Sequence, residues 1–186
     1  VTKNVANRLR IDIILQHIAQ TDKILDIGCA NGLYLRHIAP HCGHIIGIDL
    51  NERVLAYARQ KIAEENLHNA EVLRCNARNL DFDDASFDLA YCFATLSVVP
   101  DDISIIQEIA RVLRPGGKAI LDITGRLNLS HLHFRRWWNE QDIDFHAYRY
   151  GEITAILQRF EFNIVDAHAF GATDQWKSIP ILKKFT

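Results

Sequence analysis

The sequence is poor in several features that mark large classes of protein. It has four prolines and four cysteines in 186 residues, and the cysteines form no C-x-x-C pair. Neither a disulfide framework nor a thiolate metal site is therefore indicated, and unpaired thiols favour a reducing, cytoplasmic location. No apolar run reaches the ~18–20 residues that cross a bilayer. No basic, apolar and small-residue series opens the chain, so we expect neither a membrane span nor a secretory signal.

Methionine is missing altogether, and the chain begins with Val1. Natural reading frames begin with methionine, so we expect a chain that has been trimmed or has lost its methionines. Short motifs therefore carry more weight than long spacings.

An excess of charge of one sign is also missing. The chain has 21 Lys and Arg against 23 Asp and Glu, which gives a net charge of −2. Proteins that hold duplex nucleic acid bind its phosphates through an excess of basic side chains, so we expect no such partner. Apolar residues make up 48% of the chain and charged residues 24%, as in ordinary globular proteins. This length and composition predict one domain over residues 1–186.

Short apolar runs alternate with longer segments of helical periodicity. The runs predict strands at 23–27, 45–48, 71–75, 87–92, 119–123 and 162–167, and the segments predict helices at 4–19, 31–39, 52–66, from 101 onward and at 153–160. Short strands that are apolar on both faces are typical of a parallel sheet with helices on both sides. We therefore expect a doubly wound, mostly parallel α/β fold, whose ligands bind beyond the carboxyl ends of the strands.

The helix that follows Asp101 has the clearest predicted boundaries and buried face. The buried stripe is predicted at Ile103, Ile106, Ile109 and Leu113, and the helix is predicted to stop at Pro115-Gly116-Gly117.

The segment ILDIGCANG, residues 24–32, reads as a strand, a glycine-containing turn and the start of a helix. Free N–H groups at such a helix start attract anionic groups. A dinucleotide fingerprint G-x-G-x-x-G counted from Gly28 would need glycine where the chain has Ala30 and Leu33. A phosphate-binding P-loop would need Gly-Lys-Ser/Thr where Gly32 is followed by Leu33. The turn therefore fits neither motif.

Asp49 follows the second predicted strand directly. A carboxylate at this place can accept two hydrogen bonds from a ribose diol. The alternative is that Asp49 only begins the cap of the following helix. The strand context favours the diol.

Together these residues resemble class I S-adenosylmethionine-dependent methyltransferases, especially their small-molecule branch, over about residues 20–125 and more loosely to about 170. The first loop of that family reads D-x-G-x-G-x-G, and Ala30 replaces its middle glycine. We expect this replacement to be tolerated if the φ angle of Ala30 is negative. The segment RVLRPGG, residues 111–117, is the most specific single match. The resemblance implies S-adenosylmethionine as cofactor, S-adenosylhomocysteine as product, and cofactor-binding positions at Asp26, Gly28, Cys29, Ala30, Gly32, Asp49, Leu50, Asn76, Ala77 and Phe93.

Individual roles follow from the same resemblance. Asp49 would hold both ribose hydroxyls, Leu50 would pack on the adenine, and Phe93 would line the methionine end. Asn76 replaces the usual Asp, so it keeps an oxygen acceptor for the adenine amino group but loses the charge.

The acceptor side is predicted in residues 126–149, a probable substrate cap inserted after the fifth strand. The candidate substrate-binding residues are Trp137, Trp138, His146, Tyr148 and Arg149. His146 is also a candidate general base, although methyl transfer from a sulfonium is an in-line displacement that needs a base only for some acceptors. The alternative is that the tryptophans plug the sheet edge. Candidate histidine pairs lack a third ligand, so we expect no metal.

Three functions remain open at this stage. The first is an active methyltransferase that moves a methyl group to a small-molecule acceptor. The second is a catalytically degenerate S-adenosylmethionine-binding protein, which the departures Ala30, Asn76 and Ser97-Val98 leave open. The third is a nucleotide-dependent oxidoreductase. The sequence does not indicate the acceptor or the oligomeric state.

Overall fold

The computed structural model describes residues 4–125, 146–169 and 177–185. The strands are β1 (Lys23–Ile27), β2 (His44–Asp49), β3 (Ala70–Arg74), β4 (Phe87–Cys92), β5 (Leu113–Leu121), β6 (Ile123–Thr124), β7 (Phe162–Ala169) and β8 (Lys177–Lys184). The helices are α1 (Val5–Leu15), α2 (Leu33–Ile38), α3 (Glu52–Glu64), α4 (Asp102–Val112) and α5 (Tyr150–Arg159), with a 3₁₀ turn at Ala39–His41.

One sheet organises these elements. Within the described residues it has eight strands, in the order β3-β2-β1-β4-β5-β8-β6, with β7 paired to β8. The strands from β1 to β5 pair in parallel, whereas β8 runs antiparallel to β5, β6 and β7. Strand order reverses between β1 and β4, and such a switch point is where ligands bind in open α/β sheets. The predicted doubly wound, mostly parallel fold is confirmed.

Helices cover both faces of the sheet because successive strand residues point to opposite sides. On one face Ile24 packs with side chains of α1, α2 and α3, including Ile14 and Leu35. On the other face Leu25 packs with side chains of α4 and α5, including Ile106. Ile24 and Leu25 are both fully buried although they point to opposite faces. A central strand covered on both faces therefore needs apolar residues on both.

Helix α3 begins where its sequence predicts. Asn51 is the N-cap, and its side-chain oxygen accepts a hydrogen bond from the Arg53 N–H at 3.1 Å. A side-chain acceptor of this kind satisfies one of the free N–H groups at a helix start. Asp49, at the end of β2, therefore lies two residues before the N-cap and does not itself cap the helix.

The prediction for α4 was wrong in two details. Ile103 is 39% exposed, and the buried face is formed by Ile105, Ile106 and Ile109 together with Val112. The helix also ends at Val112, before the P-G-G segment, because Leu113 is extended and pairs with Phe87 of β4. The P-G-G residues therefore lie inside β5, where the register with β4 shifts by a bulge.

The end of the chain was the least predictable part. The sequence predicts six strands, and β6 and β8 were missed. Strand β8 carries three lysines and Pro180 in eight residues, a polar pattern that hides its buried centre at Ile181 and Leu182. Most of the predicted cap, residues 126–145 with Trp137 and Trp138, lies outside the described residues. Every described helix falls short of the length and apolar content that a bilayer crossing demands.

Candidate functional site

A cleft of about 410 Å³ opens at the carboxyl ends of β1 to β4. Its walls come from the four loops in which the sequence predicts ligand binding. The lining residues are Gly28, Ala30, Ile48, Asp49, Leu50, Cys75, Asn76, Ala77, Phe93, Ala94, Thr95, Val98 and Val99. Seven of the ten predicted cofactor-binding residues are among them, which places these seven together around one space.

Gly28 brings the loops after β1 and β4 into close approach. Its φ is +74°, and a Cβ added there would lie 2.1 Å from Thr95 Oγ1. The N–H groups of Gly28 and Cys29 both donate to the Ile48 carbonyl at 2.9 Å. Only glycine combines this backbone conformation with such a narrow gap, so the cleft floor depends on the missing side chain.

Ala30 corrects one expectation. Alanine was expected to be tolerated here if its φ were negative, but the observed φ is +46°. An L-residue in this left-handed region is strained, because its Cβ crowds the following carbonyl. The strain is offset locally by a hydrogen bond from the Ala30 N–H to Asp49 Oδ2 at 3.0 Å.

Asp49 connects two loops at the cleft. Oδ2 accepts from Ala30 N–H, and Oδ1 accepts from the Asn51 N–H at 2.9 Å. A carboxylate offers about four lone-pair positions, so two positions remain for further donors. The alternative that Asp49 caps the following helix is thus partly correct, since Asp49 does bind the start of α3. This contact nevertheless leaves acceptor positions of the carboxylate open to a ligand.

The wall between β2 and β3 combines an apolar surface with an amide. Leu50 is 55% exposed and borders the cleft beside Ala77. The Asn76 side-chain oxygen accepts a hydrogen bond from the Arg78 N–H at 3.1 Å. Both residues line the cleft, so an apolar surface and an amide face the same space.

Phe93 also lines the cleft, and it is held by residues that were not predicted from the sequence. Tyr34 packs edge-on against its ring with centroids 5.2 Å apart, and the Arg10 guanidinium lies 5.5 Å from the ring centroid. Arg10 also forms an ion pair with Asp122, just past β5, and donates to the Tyr34 hydroxyl at 3.3 Å. Because these partners are far apart in sequence, no local pattern reveals the cluster.

Three predicted residues lie behind the cleft surface. Asp26 is 2% exposed, and burial raises its pKa to about 7; the Asp49 charge adds to this, whereas the Tyr91 side chain and the Leu35 backbone oppose it. Burial also raises the pKa of the Cys29 thiol far above its usual range, which makes a thiolate nucleophile unfavourable there. Gly32, with φ +72°, faces the Ala58 side chain of α3.

The acceptor-side candidates that the structure describes lie where the chain returns to the sheet. The His146 N–H donates to the Ser97 carbonyl at 2.8 Å, and the Tyr148 N–H donates to the Thr124 carbonyl at 2.9 Å. This places residues 146–148 beside the loop that carries Val98 and Val99. Arg149 is exposed and is the N-cap of α5. Among the described residues, no group of three or more His, Cys, Asp or Glu side chains could hold a metal ion.

A comparison with known families decides what this cleft belongs to. Residues 25–121, just over half of the chain, match the family described as a methyltransferase domain. The chain belongs to this methyltransferase family. The predicted family is thereby confirmed, and the cofactor of the family is S-adenosylmethionine.

Two curated relatives have similar sequences. Demethylmenaquinone methyltransferase of Listeria monocytogenes is 34% identical over 119 residues, which are 62% of this chain and 50% of that protein. Phosphatidylethanolamine N-methyltransferase of Cereibacter sphaeroides is 36% identical over 104 residues, or 55% and 51% of the two chains. The chain thus spans about half the length of the curated relatives it matches.

Solved methyltransferase structures share the fold. A SAM-dependent methyltransferase from Methanosarcina mazei superimposes with a TM-score of 0.74 and 26% identity, covering 93% of this chain and 97% of that one. An S-adenosylmethionine-dependent methyltransferase from Mesorhizobium loti gives a TM-score of 0.81 at 19% identity, with coverages of 97% and 99%. The oxidoreductase alternative receives no support from this family.

Proposed function

We propose that this methyltransferase domain binds S-adenosylmethionine in the cleft and transfers its methyl group to a small-molecule acceptor. The position of Asp49 is the main observation in support of this proposal. Its carboxylate lines the cleft at the end of β2 and keeps two acceptor positions after binding Ala30 and Asn51. A ribose diol has the two donors that these positions would accept.

The residues present fit the cofactor. The cleft volume of about 410 Å³ lies in the range of small-molecule sites, roughly 300–1,000 Å³. The Gly28 turn, which a Cβ would block, allows a close backbone approach. In the proposed arrangement Asp49 holds the ribose hydroxyls, Leu50 and Asn76 hold the adenine, and Phe93 borders the methionine end.

The bound cofactor supplies a methyl group on a sulfonium, which is already an activated leaving group. The task of the chain is then to align the acceptor and keep water away. Phe93, Val98 and Val99 give the cleft an apolar wall for this purpose. A direct displacement needs no nucleophile from the protein. In keeping with this, burial raises the pKa of the Cys92 thiol to about 12, so the thiol stays protonated.

Other observations support the type of acceptor and the cellular compartment that we propose. The relatives named above are named for small molecules, demethylmenaquinone and phosphatidylethanolamine, and this supports a small-molecule acceptor. The four cysteines are free, which supports a cytoplasmic, reducing compartment.

Calorimetry with S-adenosylhomocysteine tests the assignment. We expect one site in the wild type, and in Asp49→Ala a loss of ~1.5–3 kcal/mol, or about 10–150-fold in affinity, because charge-assisted hydrogen bonds are lost. Asp88→Ala is the matched control. Asp88 also accepts a backbone N–H, from Lys23 at 2.6 Å, but at the opposite end of the sheet, so its loss leaves affinity unchanged.

The contrary outcomes are also distinct. Undiminished affinity in Asp49→Ala would remove Asp49 from the site. Tight binding of NAD instead of S-adenosylhomocysteine would overturn the cofactor. Binding of S-adenosylhomocysteine without methyl release to any acceptor in a broad panel would favour the degenerate binding protein.

A further inference from the structure

The side-chain amide of Asn76 is held in one orientation beside the cleft. Asn76 lies two residues after β3 and lines the cleft, and its Oδ1 accepts a hydrogen bond from the Arg78 N–H at 3.1 Å. A backbone N–H can only donate, so the atom that faces it must be the amide oxygen and not the amide nitrogen. The Asn79 N–H closes the same turn by donating to the Asn76 carbonyl at 3.0 Å. The oxygen that was expected to meet the adenine amino group is therefore engaged within its own loop.

The amide nitrogen of Asn76 remains for a ligand. It carries two N–H donors, and none of the described residues accepts a hydrogen bond from it. The residue is half-buried. A group that occupies the cleft next to Asn76 is therefore offered a donor, whereas the acceptor of the same amide is already used.

The other polar side chains of the cleft offer no such donor. Among the described lining residues Asp49 carries the one charge, and a carboxylate only accepts. The Thr95 hydroxyl donates to the Phe93 carbonyl at 3.2 Å, and the Cys75 thiol donates to the Asn76 carbonyl at 3.8 Å. Of the side chains that line the cleft in the described part of the chain, Asn76 alone thus keeps donors that no other residue takes.

The neighbouring wall adds apolar surface and no further polar side chain. Leu50 and Ala77 line the cleft beside Asn76. The Leu50 carbonyl accepts a hydrogen bond from Arg74 Nε at 3.2 Å, so this acceptor is also engaged. A planar base packed on this wall would meet its polar side-chain partner at Asn76.

We propose that Asn76 contacts the base of the cofactor as a donor, and that the site therefore does not depend on the 6-amino group of adenine and takes a 6-oxopurine as well. This inference rests on the proposed function. On adenine the acceptors are the ring nitrogens that flank the amino group, and on a 6-oxopurine the acceptor is the carbonyl oxygen at position 6. The same amide nitrogen can donate to either base.

A carboxylate at this position would select the base more strictly. It has no proton to donate, so it pairs with the amino group of adenine, and in the same place it would meet the carbonyl oxygen of a 6-oxopurine as a second acceptor. An acceptor that loses water and gains no donor weakens binding by about 10–100-fold. The family loop usually has Asp where this chain has Asn76, so the replacement is expected to broaden the choice of base.

Calorimetry with two analogues of S-adenosylhomocysteine tests the donor. In one analogue hypoxanthine replaces adenine and places a carbonyl at position 6, and in the other purine replaces adenine and places a hydrogen there. We expect the wild type to bind both within about tenfold of S-adenosylhomocysteine, because a donor at Asn76 needs no amino group. An acceptor at Asn76 would instead lose its partner in both analogues.

Asn76→Asp should reverse this tolerance without opening the turn. Its carboxylate can still accept from the Arg78 N–H, but it has no donor. We expect it to bind the hypoxanthine analogue ~10–100-fold more weakly than S-adenosylhomocysteine, and the purine analogue more weakly as well. A change that only disturbed the fold would weaken all three ligands alike and lower the melting temperature. Asn79→Asp is the matched control, since it adds the same charge at an exposed residue that does not line the cleft, and it should keep the wild-type pattern.

The contrary results are distinct. A loss of more than about tenfold for either analogue in the wild type would overturn the donor role. The wild-type ratio of affinities in Asn76→Asp would overturn Asn76 as the residue that selects the base, and so would a reversal that Asn79→Asp shows equally. Failure of S-adenosylhomocysteine itself to bind would instead overturn the proposed function.

Discussion

The Asp49 carboxylate, at the end of β2, accepts a hydrogen bond of 3.0 Å from the backbone N–H of Ala30, in the turn after β1. The same carboxylate is the one proposed to hold the ribose of the cofactor. One side chain therefore both shapes the loop and faces the ligand. Changes to the loop and changes to cofactor affinity are expected to be coupled through this bond.

Ala30→Gly tests the loop from the Ala30 side. Because φ at Ala30 is +46°, glycine removes the left-handed strain, and we expect unfolding free energy to rise by ~0.5–1 kcal/mol. S-adenosylhomocysteine affinity should be equal or higher. Ala85→Gly, at φ +53° outside the cleft, is the control for stability without an effect on affinity. A severe loss of affinity with the fold intact would contradict the placement of Ala30 at the family's middle glycine.

Gly28→Ala should have the opposite effect. The new Cβ would meet Thr95 Oγ1 at 2.1 Å and sit at φ +74°, so we expect a loss of about 2–4 kcal/mol in urea unfolding and weaker cofactor binding. Adding Thr95→Ala should recover the part due to the clash. Gly151→Ala, in α5 with nothing within 4 Å, should raise stability by ~0.5–1 kcal/mol. Equal stability of Gly28→Ala and the wild type would contradict the observed approach of the two loops.

Asp26→Asn should change how stability depends on pH. Burial raises the pKa of Asp26 from 3.8 to about 7, so between these values the folded protein holds a proton that the unfolded chain has lost. Wild-type stability therefore falls as pH rises through this window, and the asparagine variant lacks that fall. Urea unfolding should show the variant gaining roughly 2–3 kcal/mol on the wild type between pH 5 and pH 8. Parallel pH profiles would contradict a raised pKa.

Arg10→Met tests the ion pair behind Phe93. The side chains of Arg10 and Asp122 are 13% and 8% exposed, so removing the cation leaves a buried, unpaired carboxylate, and we expect a loss of about 3–5 kcal/mol. The double variant Arg10→Met and Asp122→Asn should lose less than the sum of the single changes. The exposed pair of Arg59 and Glu52 is the control, with less than ~1 kcal/mol for either residue. Additive losses for the buried pair would show that the two residues do not interact.

The central strands were predictable because their signal is local. The run from Lys23 to Ile27 is apolar on both faces, and it forms β1 with the predicted bounds. The end of α4 was not predictable from local sequence, because Leu113 becomes extended by pairing with Phe87, a residue distant in sequence. Strand β8 was missed for the same reason, because its pairing partners β5 and β7 cover its lysine-rich sequence.

The residues of the candidate site also differ in whether local sequence predicted them. Gly28 and Asp49 were predicted from short motifs at strand ends and Asn76 from the family resemblance, and all three line one cleft. Asp26 was predicted beside them but lies behind the surface, because the side chains of β1 alternate between the two faces of the sheet. Arg10 and Asp102 were not predicted at all, since each gains its partner only when distant segments meet.

By itself, the sequence determined the central strands from β1 to β4, the turn at Gly28 and the acidic end of β2, because periodicity, glycine and caps act within a few residues. Tertiary structure alone decided that Asp102 stands behind His146 and that Arg10 braces Phe93. Such contacts join segments far apart in sequence, and their free energy depends on burial and on pairing across that distance. A buried charge is stable only beside its partner, and the partner is chosen by the fold.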